Sequence, residues 1–415
     1  MRSVFWCSLL AILYVLALAF TLRDHSQDAL YVAPVKHGTG NGRAEKSAAL
    51  YTNRKFWAYI KSSLVKRPIT VHFLEGEYTN GVLTLAGIGH VKHRLTVQGN
   101  PEGKTVFRID SEDKRDPNTG FFVSRGCQNI AIRNLHFTGR GTVEYISRVT
   151  GSTDIVFEHC SWIDLPNIIS GATGTMPEMT ITPANASYTG THHITFRNCV
   201  FKRVGTTPRA HMIYNAYGPR HISVINCYFE DCSGDYVRFR DLSDYCVVNG
   251  CTFRSTGNYP PSNPVHRPFV SIPLFVDVDP GDEWFGTHFF ISGNKFIYEE
   301  PSAKITIAET IAVKFYHEGY DSPGRSSLLT PGEGAILGNG TAQARKTLLQ
   351  RNCGIDVDEV YVSANDYEKV ANKAVYGWRA DHGAKSRGRE EMVEIFDLLN
   401  HEELSLEDWI ARQET

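Results

Sequence analysis

The sequence predicts an all-β solenoid of short parallel strands stacked coil upon coil. Three observations carry that reading. Six nine-residue segments superpose without gaps on a closing aromatic: Asn129 to Phe137, Asp154 to Trp162, His193 to Phe201, His221 to Phe229, Tyr245 to Phe253 and His288 to Phe296. Within each segment apolar residues stand two apart, as in Ile130/Ile132, Ile155/Phe157, Ile194/Phe196, Ile222/Val224, Cys246/Val248 and Phe289/Ile291. That is the pattern of a strand with one buried face. The closing aromatic recurs at steps of 24 to 28 residues with two longer excursions. Such a strand cannot bury its face alone, and stacking at about 4.8 Å sets equivalent residues above one another around a continuous interior.

Composition agrees. The 415 residues include 35 Gly and 63 residues that are Phe, Tyr, Trp or His, with 21% charged, which suits a turn-rich β protein better than a helical bundle. With 43 Lys+Arg against 45 Asp+Glu the net charge is -2, so no global basic field argues for nucleic acid and no acidic excess argues for disorder.

Taken in chain order, residues 1–20 read as a signal peptide. Arg2 precedes an apolar run from Val4 to Phe20, and Ala17-Leu18-Ala19 offers a cleavage site. An uncleaved anchor helix is the alternative, because the run reaches the lower limit of a membrane span. Either way the remainder is expected to be secreted or periplasmic, and free of the membrane once the signal is cut. Phe56, Trp57, Ile60 and Leu64 lie at helical spacing within residues 44–65. The β-solenoid is assigned to residues 28–340. Asn134, Asn198 and Asn226 stand three residues before the aromatic, where a bend calls for a residue that tolerates the left-handed region.

Cys160, Cys199, Cys227 and Cys251 share one repeat position and are expected to be a column of buried free thiols, with Cys232 and Cys246 as the pair to test for a bridge. Residues 341–415 change character. Ala342 to Gln350 and Arg389 to Leu399 are amphipathic, and Ser405 to Asp408 resembles a capping box. A mostly helical extension packing on the solenoid is expected there, without further β-repeats. The Gly-rich segment Gly332 to Gly340 reads as a loop, since no Lys-Ser/Thr follows it. Asn185-Ala-Ser187 and Asn339-Gly-Thr341 fit the glycosylation pattern.

The N-C-x-F and N-x-x-F turns, the opening Tyr31-Val-Ala-Pro34 and the strand Ile69 to Tyr78 leading into Leu83-Thr-Leu85 resemble the right-handed parallel β-helix of the pectate-lyase-like superfamily, over about residues 28 to 335. The resemblance implies a three-strand coil, an N-terminal helical cap supplied by residues 44–65, and a substrate groove on the strand that follows the turn after the repeated aromatic. After Phe229 the matching stretch is Gly234 to Asp241. Alternation puts Val237 and Phe239 inward and leaves Tyr236, Arg238 and Arg240 on the outer face. A register of 24 sets Tyr214 opposite Arg238. Arg209 and His211 fall near the same edge, and Arg267 and Lys314 enter later coils.

A basic, aromatic groove on a nearly neutral protein implies an anionic polysaccharide partner. The chain is expected to act on it as a monomer. A 4-linked uronate such as alginate or pectate is cleaved by removing the C5 proton, once the neighbouring carboxylate is neutralised, and expelling the C4 oxygen. That needs a carboxylate clamp, a base and a proton donor. The resemblance implies calcium or arginine for the clamp and Lys or Arg as base. Arg238 and Arg240 are the candidates for clamp and base, with Tyr214, Tyr236 and His211 for the other proton transfer, and Arg209, Lys314 and Arg267 for binding. Compared alginate and chondroitin lyases on this fold carry Lys at the Arg240 position and acidic calcium ligands nearby. Asp235, Asp241 and Asp244 are therefore the possible calcium ligands. A glycoside hydrolase needs two carboxyls about 5–9.5 Å apart. Asp235 and Asp241 are too distant along one strand, so only a turn pair such as Asp241/Asp244 would serve. A non-catalytic glycan-binding solenoid is the third reading.

Overall fold

A computed structural model describes residues 28–79, 81–110, 120–181, 186–259, 268–275, 283–299, 307–318, 332–380 and 389–413. The signal segment, Arg267 and Asn185 lie outside these residues. Three long sheets run the length of the molecule, two of 11 strands and one of nine, and consecutive coils pair in parallel. Each coil gives one strand to each sheet, which defines a parallel β-helix. The right-handed sense follows the rule for crossovers between parallel strands.

The sequence repeat spans the corner between the first two sheets. Its opening residues form first-sheet strands such as His192–Arg197 and Arg220–Ile225, and its closing aromatic begins second-sheet strands such as Val200–Val204 and Tyr228–Cys232. Phe137, Trp162, Phe201, Phe229, Phe253 and Phe296 pair in unbroken register and form one interior column. Trp162–Phe201 and Phe229–Phe253 stack with centroids 4.6 Å apart. The column extends to Phe107 below and Tyr367 above.

At the bend, Asn134, Asn198 and Asn226 hold φ of 52 to 54°, as does His159. The next position carries the cysteines, and all eight from Cys127 to Cys353 are free and buried. Cys160, Cys199, Cys227 and Cys251 each donate to a carbonyl of the coil below, at 3.4 to 3.5 Å. Asn294 continues that column. Its side chain donates to Val248 O and accepts the Cys251 amide, so a buried amide replaces a thiol where a neighbouring coil needs one more partner.

The helix α1 (Arg54–Leu64) starts at Asn53, whose side chain accepts the amides of Lys55 and Phe56. Its Phe56, Trp57, Ile60 and Leu64 are buried in the main core, with the Trp57 ring 6.4 Å from Phe73. Among the described residues no helix is long and apolar enough to cross a membrane.

The C-terminal reading requires correction. Strands Val360–Ser363, Asp366–Glu368 and Asn372–Ala380 pair in parallel with the coil before them, so the β-helix runs past residue 340 to Ala380. Residues Arg389–Glu394, amphipathic enough to suggest a helix, form an antiparallel strand on Asn372–Ala380. The terminal strand offers unpaired backbone groups, and satisfying them outweighs a weak helical preference. Residues Glu333–Asn339 are helical rather than loop. Helices Ala342–Leu348 and Leu406–Gln413 do form, the latter with Ser405 and Asp408 in the capping contact.

Two outcomes follow. Phe201→Ala is expected to cost about 3–5 kcal/mol of unfolding free energy in chemical denaturation, because it opens a cavity in the stacked column; a cost under about 1 kcal/mol would contradict that packing. Thiol titration without reductant should find none of Cys127 to Cys353 reactive in the native protein and all eight after denaturation. A mass-mapped disulfide at Cys160, Cys199, Cys227 or Cys251 would refute the column.

Candidate active site

The third sheet carries the groove. Its strands are numbered here along the sheet as β1 (Leu83–Ala86), β2 (Phe121–Ser124), β3 (Ser147–Thr150), β4 (Ile168–Met176), β5 (His211–Asn215), β6 (Val237–Phe239), β7 (Pro268–Phe275), β8 (Ile311–Glu318) and β9 (Asn372–Ala380). Val237 and Phe239 point into the core. The outward residues align into one column through Thr84, Phe122, Arg148, Gly174, Tyr214, Arg238, Ser271 and Lys314. The Tyr214–Arg238 register of 24 is as the sequence implied.

Tyr236 departs from its reading. Its ring is buried 4.9 Å from Phe269, and its hydroxyl donates to Arg254 O at 2.9 Å. Alternation begins only with β6, and Tyr236 precedes it at the corner, where the backbone turns the side chain inward. Ala172, Met212, Phe269 and Ala312 are buried in the same core. Tyr236 therefore cannot touch a groove ligand.

Arg238 donates from Nε (2.8 Å) and Nη2 (2.6 Å) to Asp235 Oδ2, leaving Nη1 out of that pairing. Its guanidinium carbon lies 5.9 Å from the Tyr214 ring centre. Arg240 donates from Nε to Glu283 Oε1 at 2.6 Å, with Nη2 paired to the same oxygen, and from Nη1 to the Tyr214 hydroxyl oxygen at 2.6 Å. It also lies over the Phe275 ring at 4.5 Å and the Tyr217 ring at 5.2 Å. Two arginines thus bracket one phenol, and each is fixed by its own carboxylate.

Burial would raise Asp235, yet the Arg238 charge and hydrogen bond hold it below the usual carboxylate range. Burial leaves Glu283 above that range despite Arg240. Burial opposes the charge on Arg240, but the hydrogen bond to Glu283 and the surrounding oxygens carry its pKa above the ordinary arginine value. Arg240 is therefore a fixed cation and a poor base, against the base role inferred from the sequence. His211 is buried, stacks on Tyr214 at 5.2 Å, and accepts the Asp235 amide at Nδ1. Burial, with the charges of Arg238 and Arg240, lowers its imidazole to about 3 against the pull of Asp235. It is a neutral ring protonated at Nε2 that positions Asp235 and Tyr214, with no imidazolium proton to give near neutral pH.

Lys314 stands in the arginine column two coils on, with its ammonium 4.5 Å from the ring centre of Tyr316 on the same strand. Arg209 is exposed on the turn before β5 and lines a separate shallow cleft with Asn167 and Thr207. The three aspartates are not brought together as a metal site. Asp235 is committed to Arg238, Asp241 accepts the Trp284 amide, and Asp244 accepts the Thr287 amide at 2.9 Å. Among the described residues no group of three or more His, Cys, Asp or Glu could hold a metal ion. This donor set does not fit calcium.

Sequence reasoning missed Arg148, Tyr145, Glu283 and Trp284. Arg148 lies over the Tyr145 ring at 4.9 Å with a buried Nε that has no hydrogen-bond partner among the described residues, and Tyr145 stacks against Tyr214 at 6.3 Å. Arg148 was legible in principle, because it aligns with Tyr214 once the register is known, but the longer excursion between Trp162 and Phe201 obscures the count. Gly174 lies between them, and a Cβ there would stand 2.0 Å from Tyr214 O, so the close approach of β4 and β5 requires glycine. Trp284 is 60% exposed; its backbone pairs with Asp241 and Leu242, just past Arg240, while its ring lies toward Gly354, where a Cβ would stand 3.9 Å from it.

No protein-family model matches the chain, and no curated protein sequence matches it. Solved structures do resemble it. An alginate lyase from Paenibacillus sp. str. FPU-7 is 10% identical, with 64% of this chain and 91% of that chain covered and a TM-score of 0.45. The Streptococcus pneumoniae surface protein and adhesin PfbA is 12% identical over 83% of this chain and 99% of its own, with a TM-score of 0.37. Pectate lyase Pel9A is 9% identical over 74% and 84%, with a TM-score of 0.32. At these identities the likeness concerns the fold.

The His211 environment predicts a pH effect. As pH falls below about 6.5 the unfolded chain binds a proton at residue 211 that the folded chain refuses until about 3, so folded stability declines through that window, by up to about 1.4 kcal/mol per pH unit. Denaturation of His211→Asn between about pH 6 and pH 4 should show a shallower decline than the unsubstituted protein. Equal slopes would mean the folded ring takes up its proton normally.

Proposed function

We propose that the protein is an exported polysaccharide lyase that cleaves a 4-linked uronate polymer, of the alginate or pectate kind, by β-elimination. One observation carries the reading: Tyr214 oxygen is held by Arg240 at 2.6 Å while Arg238 stands over the same ring with Nη1 outside its carboxylate pairing. The C5 proton of a uronate becomes removable when the adjacent carboxylate is neutralised, and Arg238 Nη1 is the group suited to that. The Arg240 N–H stabilises negative charge on the Tyr214 oxygen, which suits that oxygen to receive the C5 proton. As the C5–H bond breaks, its electron pair forms the C4–C5 double bond, the C4–O bond breaks, and the departing oxygen takes a proton. Tyr214, having taken the C5 proton, is the candidate to return it.

Asp235 and Glu283 fix the two guanidiniums before substrate arrives, so little reorganisation is needed at the moment of reaction. Arg148 and Lys314, in the same outward column, suit carboxylates of neighbouring sugars. The apolar N-terminal segment supports export.

Incubation with alginate, pectate, glucuronan and glycosaminoglycans should raise the ultraviolet absorbance of an unsaturated uronate with one of them. Reducing ends without that absorbance would indicate a hydrolase, and neither signal would indicate a binder. Tyr214→Phe, Arg238→Ala and Arg240→Ala should each lower turnover by about 10²-fold or more. Tyr214→Phe should leave the thermal midpoint nearly unchanged, whereas the two arginine variants should lower it because each leaves a buried carboxylate unpaired. Arg→Lys should rescue poorly because an ammonium cannot reproduce the fork. Near-normal turnover in all three would move the chemistry elsewhere.

A further inference from the structure

The groove column does not stop at Arg148. Toward the N-terminal end it continues through Phe122 and Thr84 into a cleft of about 710 Å³ between the third sheet and α1. Its floor is β1 and β2, with Phe122 as the apolar surface. One wall is α1, where Arg54 and Lys61 stand about two turns apart on one face of the helix, and the opposite edge carries Arg125. Lys61 reaches across to the sheet, since a Cβ on Gly87 would stand 3.1 Å from its ammonium.

The charge balance of the cleft favours an anion. Glu178, the one acidic residue among its described lining, is already engaged: it accepts the Arg125 amide at 2.8 Å and the Thr150 hydroxyl at 3.0 Å, and lies 3.6 Å from the Arg125 guanidinium. Among the described residues neither Arg54 nor Lys61 has an acidic partner. A second observation is independent of charge. Ser124 belongs to the lining of the cleft and is fully buried, and among the described residues its hydroxyl has no hydrogen-bond partner. An unmade hydrogen bond at a buried hydroxyl is costly, and a ligand hydroxyl or carboxylate would make it.

We propose that this cleft is a distal subsite that binds a carboxylated sugar of the polymer whose cleavage site lies at Tyr214. The inference rests on the polyuronate reading. Phe122 is three strand spacings from Tyr214 along the column, about 14 Å, and Arg238 one spacing more, about 19 Å. A bound chain must therefore extend several sugars beyond the scission point to fill the cleft. Arg54 and Lys61 would take its carboxylate, the Phe122 ring its apolar face, and the Ser124 hydroxyl a polar edge. The consequence is a preference for long chains.

The test compares uronate oligomers of defined length with the intact polymer, using whichever polyuronate the unsubstituted protein cleaves. Its kcat/KM should rise with length until the oligomer spans both sites. In Arg54→Ala/Lys61→Ala that rise should shrink by about 10-fold, the loss of one charge-assisted contact. Ser124→Ala should shrink it in the same direction while leaving the thermal midpoint unchanged or higher, because an unpartnered buried hydroxyl is removed; a hydroxyl with a structural role would lower the midpoint and leave the length dependence alone. An unchanged length dependence in both variants would overturn the subsite and leave the lyase reading standing. Failure of the unsubstituted protein to cleave any polyuronate would overturn the lyase reading and the subsite with it.

Discussion

The parallel register between coils is the constraint on which the groove depends. Phe137, Trp162, Phe201, Phe229, Phe253 and Phe296 stack through the interior, and each ring is too large to shift by one residue without carrying a polar side chain into the core. Register fixed inside is register fixed outside. A parallel ladder then sets every outward residue above its counterpart, so Arg148, Tyr214, Arg238 and Lys314 fall along one line although they are far apart in sequence. The corners relieve the strain this imposes. Residues at the start of six first-sheet strands, from Asn129 to His288, and Asn134, His159, Asn198 and Asn226 at the following bends hold φ near 55°.

The cations on that line are not held alike. Arg238 and Arg240 are about one-sixth exposed in their side chains and each is tied to a buried carboxylate. Ion pairs taken this far from water gain little net stability, because desolvation offsets the attraction. Their value lies in geometry: each guanidinium is locked in one orientation, with Tyr214 between them. His211 completes the arrangement from beneath. Its low affinity for a proton removes a third positive charge that would otherwise compete with Arg238 for Asp235. Phe275 and Tyr217 cover the Arg240 guanidinium and Tyr145 that of Arg148, and the rings combine cation–π attraction with surfaces suited to sugars.

Much of the fold was legible in the sequence. The nine-residue repeat, its two-residue alternation and its closing aromatic follow from local rules, since a strand with one buried face must alternate and a bend must accept left-handed φ. The same rules set Val237 and Phe239 inward and Arg238 and Arg240 outward. Their reach ends at the corners: Tyr236 obeys alternation by count yet lies in the core, because it precedes the strand. The last coil shows the second limit. Val360–Ser363, Asp366–Glu368 and Asn372–Ala380 keep the strand period, but an insertion carrying the helices Glu333–Asn339 and Ala342–Leu348 hides their phase relative to earlier coils.

The site divides along the same line. The sequence by itself determined Tyr214, Arg238 and Arg240 as one cluster, because a 24-residue interval within a parallel stack is a contact. Tertiary structure alone decided the partners that give those residues their chemical state. Glu283 reaches Arg240 across 43 residues of chain, Asp235 turns from a candidate metal ligand into the anchor of Arg238, and Arg148 joins the column from three strands away. Charge state and orientation depend on burial and on which oxygen lies within about 3 Å of which nitrogen. Those distances arise from loops and excursions that carry no period, and a periodic pattern cannot encode them.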